Sequence, residues 1–326
     1  MGPRAESRQL ELTTTSLAVM GTTADIAVWG GRSDLAIHAA ERLMDLERRW
    51  TRFDPSSEVS KINACAGERA VVVSDETVLL VTKAVEGWSY SGGLFDPTVL
   101  TSMIAMGYDR TFTAIEPRAS AATTLRRTPG CGSIRVDRGL RAVGLPAGVS
   151  IDPGGIGKGL AADIVAGELL DRGALAVCVS VGGDVRAAHR PDAAHPWRIG
   201  LADPSDPTRL FGVASLASGA VVTSSTLTRR WPLGDEMVHH VIDPRTGAPM
   251  RSDLVAVTVV AGEAWWAEVL AKWVLAAGET AGIELLERRG ATGLVVRSDG
   301  TAVMLGGMRS FLSEPELQGP VTRPQV

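Results

Sequence analysis

The sequence is short of the features that mark a secreted, metal-clustered or nucleic-acid-binding protein. It has 3 cysteines in 326 residues. Cys65, Cys131 and Cys178 lie far apart, with no Cys-x-x-Cys spacing, so neither a disulfide framework nor a cysteine zinc site is expected. They read as small buried hydrophobes in a reducing compartment. There is no long basic run, and the formal net charge is -4, which argues against nucleic acid or an anionic membrane as the main partner. No basic start with an apolar run behind it and no segment of spanning length is seen. A signal peptide, a lipid-attachment cysteine and a transmembrane span are therefore not expected, and the chain reads as cytoplasmic. Internal repeats and a clear linker are absent as well, so a single domain over residues 11–312 is expected, with loose ends at 1–10 and 313–326.

What is present is an ordinary globular composition. Hydrophobic residues make up 45% and charged residues 21%, enough to bury a full core. Leu17 to Trp29 reads as a strand pair interrupted at Gly21. Ser33 is a candidate cap for a helix with the stripe Leu35, Ala39, Leu43, Leu46 and Trp50. Asp75 opens a second helix with Val78, Val81, Val85 and Trp88 on one face. Strands are expected at 133–136, 141–145, 176–181, 197–201, 210–216, 239–242, 254–260, 293–296 and 302–305, with helices near 265–277 and 280–288. Strands and helices mix without a strict βαβ rhythm, which gives an α+β class rather than a doubly wound sheet.

The most informative stretch is Asp152-Pro153-Gly154-Gly155-Ile156-Gly157-Lys158-Gly159, followed by Leu160-Ala161-Ala162-Asp163. Four glycines, one lysine and two aspartates stand at the entrance to a helix. Glycine lets backbone N–H groups approach a ligand, and a helix N-terminus favours negative charge. The stretch suits a pyrophosphate, although it is neither a P-loop nor a dinucleotide fingerprint. Further segments accompany it: Met20-Gly21-Thr22, Trp50 to Asn63, Gly93-Leu94-Phe95-Asp96-Pro97-Thr98, Gly182-Gly183-Asp184, Val222-Thr223-Ser224-Ser225 before Arg229, and His239-His240-Val241-Ile242-Asp243-Pro244-Arg245-Thr246-Gly247.

In this order and spacing, from about Leu17 to Leu312, the segments resemble the FAD:protein FMN transferase (ApbE-like) family. The resemblance implies one α+β, T-fold-related domain of mixed sheets flanked by helices, with FAD bound in a cleft. It also implies Mg²⁺-assisted transfer of the FMN half of FAD onto a threonine or serine hydroxyl of an acceptor flavoprotein, releasing AMP. By position, Met20 and Thr22 match the flavin-side segment, and Phe53 matches an aromatic beside the nucleotide. Asp96 falls in a further matching segment as a cofactor-binding candidate. Asp152, Gly154, Gly155 and Lys158 match the pyrophosphate loop. The Gly157 carbonyl matches a backbone oxygen offered to the metal, and Thr223 and Ser224 match a cleft wall. His240 matches the base for the acceptor hydroxyl, with Asp243 and Thr246 in the turn beside it. Plain structural roles stay open for several of these: Phe53 as core, Asp243 to Gly247 as a turn, and a strand histidine as packing.

The chain departs from the pattern at Glu268 and Lys272, where the family has an aspartate and, four residues on, a threonine that serve the metal. Glutamate remains a hard oxygen ligand, but a protonated lysine has no acceptor to offer. Three readings stand open. Lys272 is a catalytic in-place cation; or Glu268 and Lys272 form an i, i+4 ion pair, weak if exposed, with the metal site lost and FAD bound without turnover; or the helix is rotated and the pair is merely surface. Ser225-Thr226-Leu227 replaces a usual Gly-Asp-Tyr. The alternatives to transfer are therefore FAD binding alone and hydrolysis of FAD to FMN and AMP.

Overall fold

The computed structural model describes residues 11–193 and 195–313. The expected loose ends fall outside that range, except Ser313, which pairs with Val213 in a short strand. The fold is α+β. Its centre is an eight-stranded sheet made of Leu12–Val19, Thr22–Trp29, Ala176–Val181, Asp184–His189, Gly219–Ser225, Leu254–Ala261, Thr292–Arg297 and Ala302–Met304. These strands neighbour one another in chain order, and every ladder is antiparallel. The sheet is thus a meander, with the site-building segments inserted between its strands.

Side-chain alternation explains the layers. In Ala176–Val181, Val177, Val179 and Val181 join the core under the helices Leu35–Trp50 and Gly157–Asp171. Ala176 and Cys178 point the other way, into a core shared with Trp197, Ile199 and Leu201 of a small three-stranded sheet. Period 2 sends alternate residues to opposite faces, and both faces here are apolar. That accounts for a fully buried strand in a mixed-layer protein. Gly182 and Gly183 turn the chain at φ +60° and +87°, a left-handed pair that glycine adopts without strain. The turn delivers Asp184 to the far strand.

The helices follow their stripes closely. Leu35, Ala39, Leu43, Leu46 and Trp50 are all buried in the helix Leu35–Trp50. Its start differs from expectation. Asp34, not Ser33, is the cap residue, and it makes no side-chain cap bond. The helix Asp75–Tyr90 is capped by Ser74, whose hydroxyl accepts from the Thr77 N–H. The strand expected at 239–242 lies earlier, at Glu236–His239, paired with Arg230–Leu233. His239 and His240 are therefore not neighbours on one strand, and His240 sits in the bend after it.

Candidate functional site

The glycine loop is built by its own aspartate. Asp152 caps a single 3-10 turn, Pro153–Gly155, by accepting the Gly154 N–H at 2.6 Å, with proline in the first position, where its missing N–H costs nothing. The other Asp152 oxygen pairs with Arg52 Nε at 3.0 Å, both side chains buried. The helix Gly157–Asp171 follows. Its Asp163 carboxylate crosses to the next helix, Ala264–Ala277, and accepts the Ala264 and Trp265 N–H groups at 2.9 Å each. One side chain thus ties the middle of the first helix to the N-terminus of the second. Burial pushes the Asp163 carboxyl up to about 6, against the pull of those N–H groups and Arg186.

The glycines then set how close the helices come. A Cβ on Gly159 would lie 2.6 Å from the Ala264 carbonyl oxygen, and one on Gly155 would lie 3.3 Å from Lys272 Cε. The close approach puts Glu268 against the glycine helix, where its Oε2 accepts the Gly159 N–H at 3.1 Å. Its Oε1 lies 3.3 Å from both Lys158 Nζ and Lys272 Nζ. Lys158 also pairs with Asp184. Burial works against the Lys158 charge, but Asp184 and Glu268 hold it above the ordinary lysine range. Burial alone would raise Glu268; the two ammonium groups keep it below the usual carboxylate range.

These four charges are not equally placed. Glu268 and Asp184 are 1% and 2% exposed, whereas Lys158 and Lys272 are 20% and 18% exposed. Both lysines line a cavity of about 260 Å³, and neither carboxylate does. The cavity wall therefore presents the cations and hides their counterions. The pair Glu268–Lys272 is neither exposed nor peripheral, which removes the surface reading.

The rest of the wall comes from distant segments. Arg229 stands at φ +46°, one of three non-glycine residues with positive φ among the described residues; Met20, at +55°, is another, and both line the cavity. Such strain gathers at functional sites. Arg229 donates to the Tyr108 hydroxyl at 3.2 Å and the Gly21 carbonyl at 3.3 Å. The Arg52 guanidinium lies 4.2 Å from the Phe53 ring centre and 4.6 Å from that of Tyr108, so a flat cation and two rings edge the mouth. Phe53 is 38% exposed, which is too open for a core role. His240 Nδ1 is buried without a hydrogen-bond partner in the cavity wall. Burial, then Arg229 and Lys272, push its imidazole down to about 3.

Of the residues expected from sequence, Met20, Phe53, Asp96, Asp152, Gly154, Gly155, Gly157, Lys158, His240 and Lys272 line this cavity. Asp96 does so as an anchor, accepting from both the N–H and the hydroxyl of Thr98 at 2.8 and 2.7 Å. Thr22, Thr223, Ser224, Asp243, Thr246 and Glu268 are not in the lining. Thr22 packs against the Gly182 turn. Thr223, an exposed residue of its strand, shares a hydrogen bond with Thr258 on the neighbouring strand, hydroxyl to hydroxyl at 2.8 Å. Ser224 sits behind Lys272, accepting from Nζ at 3.4 Å. Asp243 and Thr246 form the turn that seats His240: the Asp243 carbonyl accepts the Gly247 N–H at 2.8 Å, and the Pro244 carbonyl accepts the Thr128 N–H at 2.9 Å. Sequence reasoning gave no role to Arg52, Tyr108, Asp184 or Arg229. Arg52 and Asp184 lay within segments already singled out, so proximity to a motif was the available signal.

The donor set does not fit a divalent metal ion. Both Glu268 oxygens are engaged, by two ammonium groups and an N–H, and Lys272 offers no acceptor. An ion there would face two like charges at contact distance. Among the described residues, no group of three or more His, Cys, Asp or Glu side chains could hold a metal.

Comparison with known proteins follows the same outline. The family model described as ApbE family matches residues 20–295. An FAD:protein FMN transferase of Vibrio cholerae is 25% identical over 248 residues, 75% of this chain and 74% of that protein. One of Rhodobacter capsulatus is 27% identical over 85% of this chain, which spans only 53% of that protein. Among solved structures, an ApbE protein of Thermotoga maritima superposes with a TM-score of 0.82 at 27% identity, covering 93% of this chain and 100% of its own. The flavin transferase ApbE of Vibrio cholerae, at 23% identity and a TM-score of 0.73, shares the fold.

Proposed function

The chain belongs to the ApbE family, and on that premise we propose that it is an FAD:protein FMN transferase. Its substrates are FAD and a serine or threonine hydroxyl on an acceptor flavoprotein. The observation that carries this reading is the cavity wall, where Lys158, Lys272 and Arg229 stand beside an unpartnered histidine nitrogen. Three cations suit a diphosphate, and a neutral imidazole suits a hydroxyl proton.

The chemistry is substitution at phosphorus. The acceptor oxygen forms a bond to the FMN-side phosphorus, the bond from that phosphorus to the bridging oxygen breaks, and AMP leaves with that oxygen. The hydroxyl proton passes to His240. Lys158 and the N-terminus of Gly157–Asp171 hold the charge that builds on the diphosphate, and the glycine turn positions it. Arg52, Phe53 and Tyr108 supply a flat surface against which an aromatic ring of FAD can stack. A diphosphate bound beside Arg229 and Lys272 offsets the repulsion that depresses His240, so substrate binding itself raises the basicity of the base.

The reading takes residues 11–312 as one functional unit, because the cavity draws on segments from Met20 to Lys272. No helix among the described residues is long and apolar enough to cross a membrane. Three unpaired cysteines favour a reducing, cytoplasmic setting. The test is incubation with FAD and an acceptor protein bearing a flavinylation-type serine or threonine. A covalent fluorescent flavin on the acceptor, with one AMP per label, is expected. AMP without label would instead mark a hydrolase, and neither AMP nor label would end the transferase reading.

A further inference from the structure

We infer that Lys158 and Lys272 together carry the positive charge on the bound diphosphate, so that this site works without a divalent metal ion. The inference rests on the proposed transferase reading only in naming FAD as the diphosphate. It stands on three observations of geometry. First, the two ammonium groups line the cavity while Asp184 and Glu268 lie behind them, out of its lining. The arrangement is a positive face backed by a buried negative layer. Second, Glu268 holds both lysines from one oxygen, and its other oxygen is fixed to the Gly159 N–H. A carboxylate so engaged orients the lysines, and a metal approaching the lone pair left on Oε2 would meet the repulsion of both ammonium groups. Third, Gly155 leaves room for Lys272: a Cβ there would press on Cε at 3.3 Å and Cδ at 3.6 Å. The lysine stem runs along the phosphate loop itself, so its ammonium reaches the cavity beside the loop. Ser224 Oγ steadies Nζ from the far side at 3.4 Å.

Charge count agrees. Two ammonium groups and two carboxylates cancel within the cluster, while along the cavity lining Lys158, Lys272, Arg229 and Arg52 stand against Glu47, Asp96 and Asp152, an excess of one positive charge. A diphosphate entering this wall meets donors whose charge is already held in place, which is how preorganised electrostatics acts. A divalent ion entering the same space would be repelled by both lysines before it reached Glu268. Glu268 and Ser224 are then positioning residues, acting through Lys272.

The test is titration of the full chain with FAD, and separately with inorganic pyrophosphate, in EDTA and in millimolar Mg²⁺. Binding is read by flavin fluorescence quenching and by calorimetry. The expected result is a Kd for each ligand that changes less than twofold between EDTA and Mg²⁺. Lys272→Met should weaken both ligands at least tenfold, and Lys272→Arg should restore most of the loss. If Lys272→Met does not fold, the double variant Glu268→Gln/Lys272→Met, which leaves no carboxylate facing an empty position, replaces it with the same expectation. Mg²⁺ tightening wild-type FAD binding tenfold or more would overturn the inference and leave the transferase reading intact. Pyrophosphate bound without metal, with FAD not bound at all, would do the reverse. Undiminished binding by Lys272→Met would remove Lys272 from the site.

Discussion

Replacing Gly159 and Gly167 by alanine, one at a time, tests whether the site depends on helix approach. The two glycines lie on one helix, so the substitution has the same intrinsic helix benefit at each, about 0.5–1 kcal/mol. Their surroundings differ completely. The Gly167 Cβ position has nothing within 4 Å, whereas that of Gly159 lies 2.6 Å from the Ala264 oxygen, 2.7 Å from its carbonyl carbon and 2.8 Å from the Trp265 nitrogen. All three are backbone atoms and cannot swing aside, so the second helix must retreat. Overpacking of this kind costs about 1–3 kcal/mol, and loss of the Gly159 N–H bond to the Glu268 carboxylate adds about 1.5–3 kcal/mol. Less the helix benefit, Gly159→Ala should lose about 2–5 kcal/mol, while Gly167→Ala should gain about 0.5–1 kcal/mol. Urea unfolding of both variants at constant slope measures the difference. Because the retreat carries Glu268 and Lys272 away from Lys158, Gly159→Ala should also weaken FAD binding below the unfolding transition. Wild-type stability in Gly159→Ala, or a loss in Gly167→Ala equal to it, would refute the helix-contact argument.

Asp163→Ala strands two N–H groups and Arg186 in a largely buried place, and a loss of about 2–4 kcal/mol is expected by thermal unfolding, with Asp163→Asn recovering part. His240 should stay neutral far into acid in the free protein, with its ring signals in heteronuclear NMR titrating near pH 3; a midpoint near the ordinary value of about 6.5 would show that the ring is open to water. Since the unfolded chain protonates this histidine first, it takes stability away as pH falls from about 6.5 towards 3, by up to about 1.4 kcal/mol per unit. His240→Gln should flatten that slope. Asp163 and Asp184, both raised to about 6, act with the opposite sign: each binds a proton more tightly when folded, so its contribution is lost as pH rises through about 4 to 6. His240→Gln should also abolish acceptor labelling while leaving the FAD Kd within about threefold, which calorimetry and gel fluorescence separate.

Much of this was legible where local chemistry decides the outcome. The stripe of Leu35 to Trp50 and the run from Ala176 to Val181 announce their burial by spacing alone, because helix and strand periods are fixed by the backbone. Motif content pointed to the glycine loop and to His240, and both line the cavity. What the sequence could not display was the partner of each charge. Lys158 and Asp184 are 26 residues apart, and Lys158 and Glu268 are 110 apart. Nothing in either neighbourhood says that three segments meet. Arg52 stands between Thr51 and Phe53 in sequence, and only the packing brings Tyr108 over it. Thr223, Asp243 and Thr246 lie outside the cavity lining. Each has a side chain that bonds within its own strand or turn, Thr223 with Thr258, Asp243 with Arg245 and Thr246 with the Ala248 N–H.

The glycines show why a motif and its mechanism need not coincide. Glycine in a phosphate loop is read as an opening for the ligand, yet a Cβ at Gly154 meets Asp152, at Gly155 Phe95 and Lys272, and at Gly159 the Ala264 backbone. Three of the four therefore serve protein–protein approach. That approach brings Glu268 under the loop and the Lys272 stem along it, so the same residues produce both the anion-binding turn and the ammonium pair behind it. The two properties are one consequence of a small residue at a helix crossing. A substitution that widens the crossing by even a methyl group must therefore change stability and diphosphate affinity together, whereas a variant that changes affinity alone has to act on groups that face the ligand, such as the lysines or Arg229.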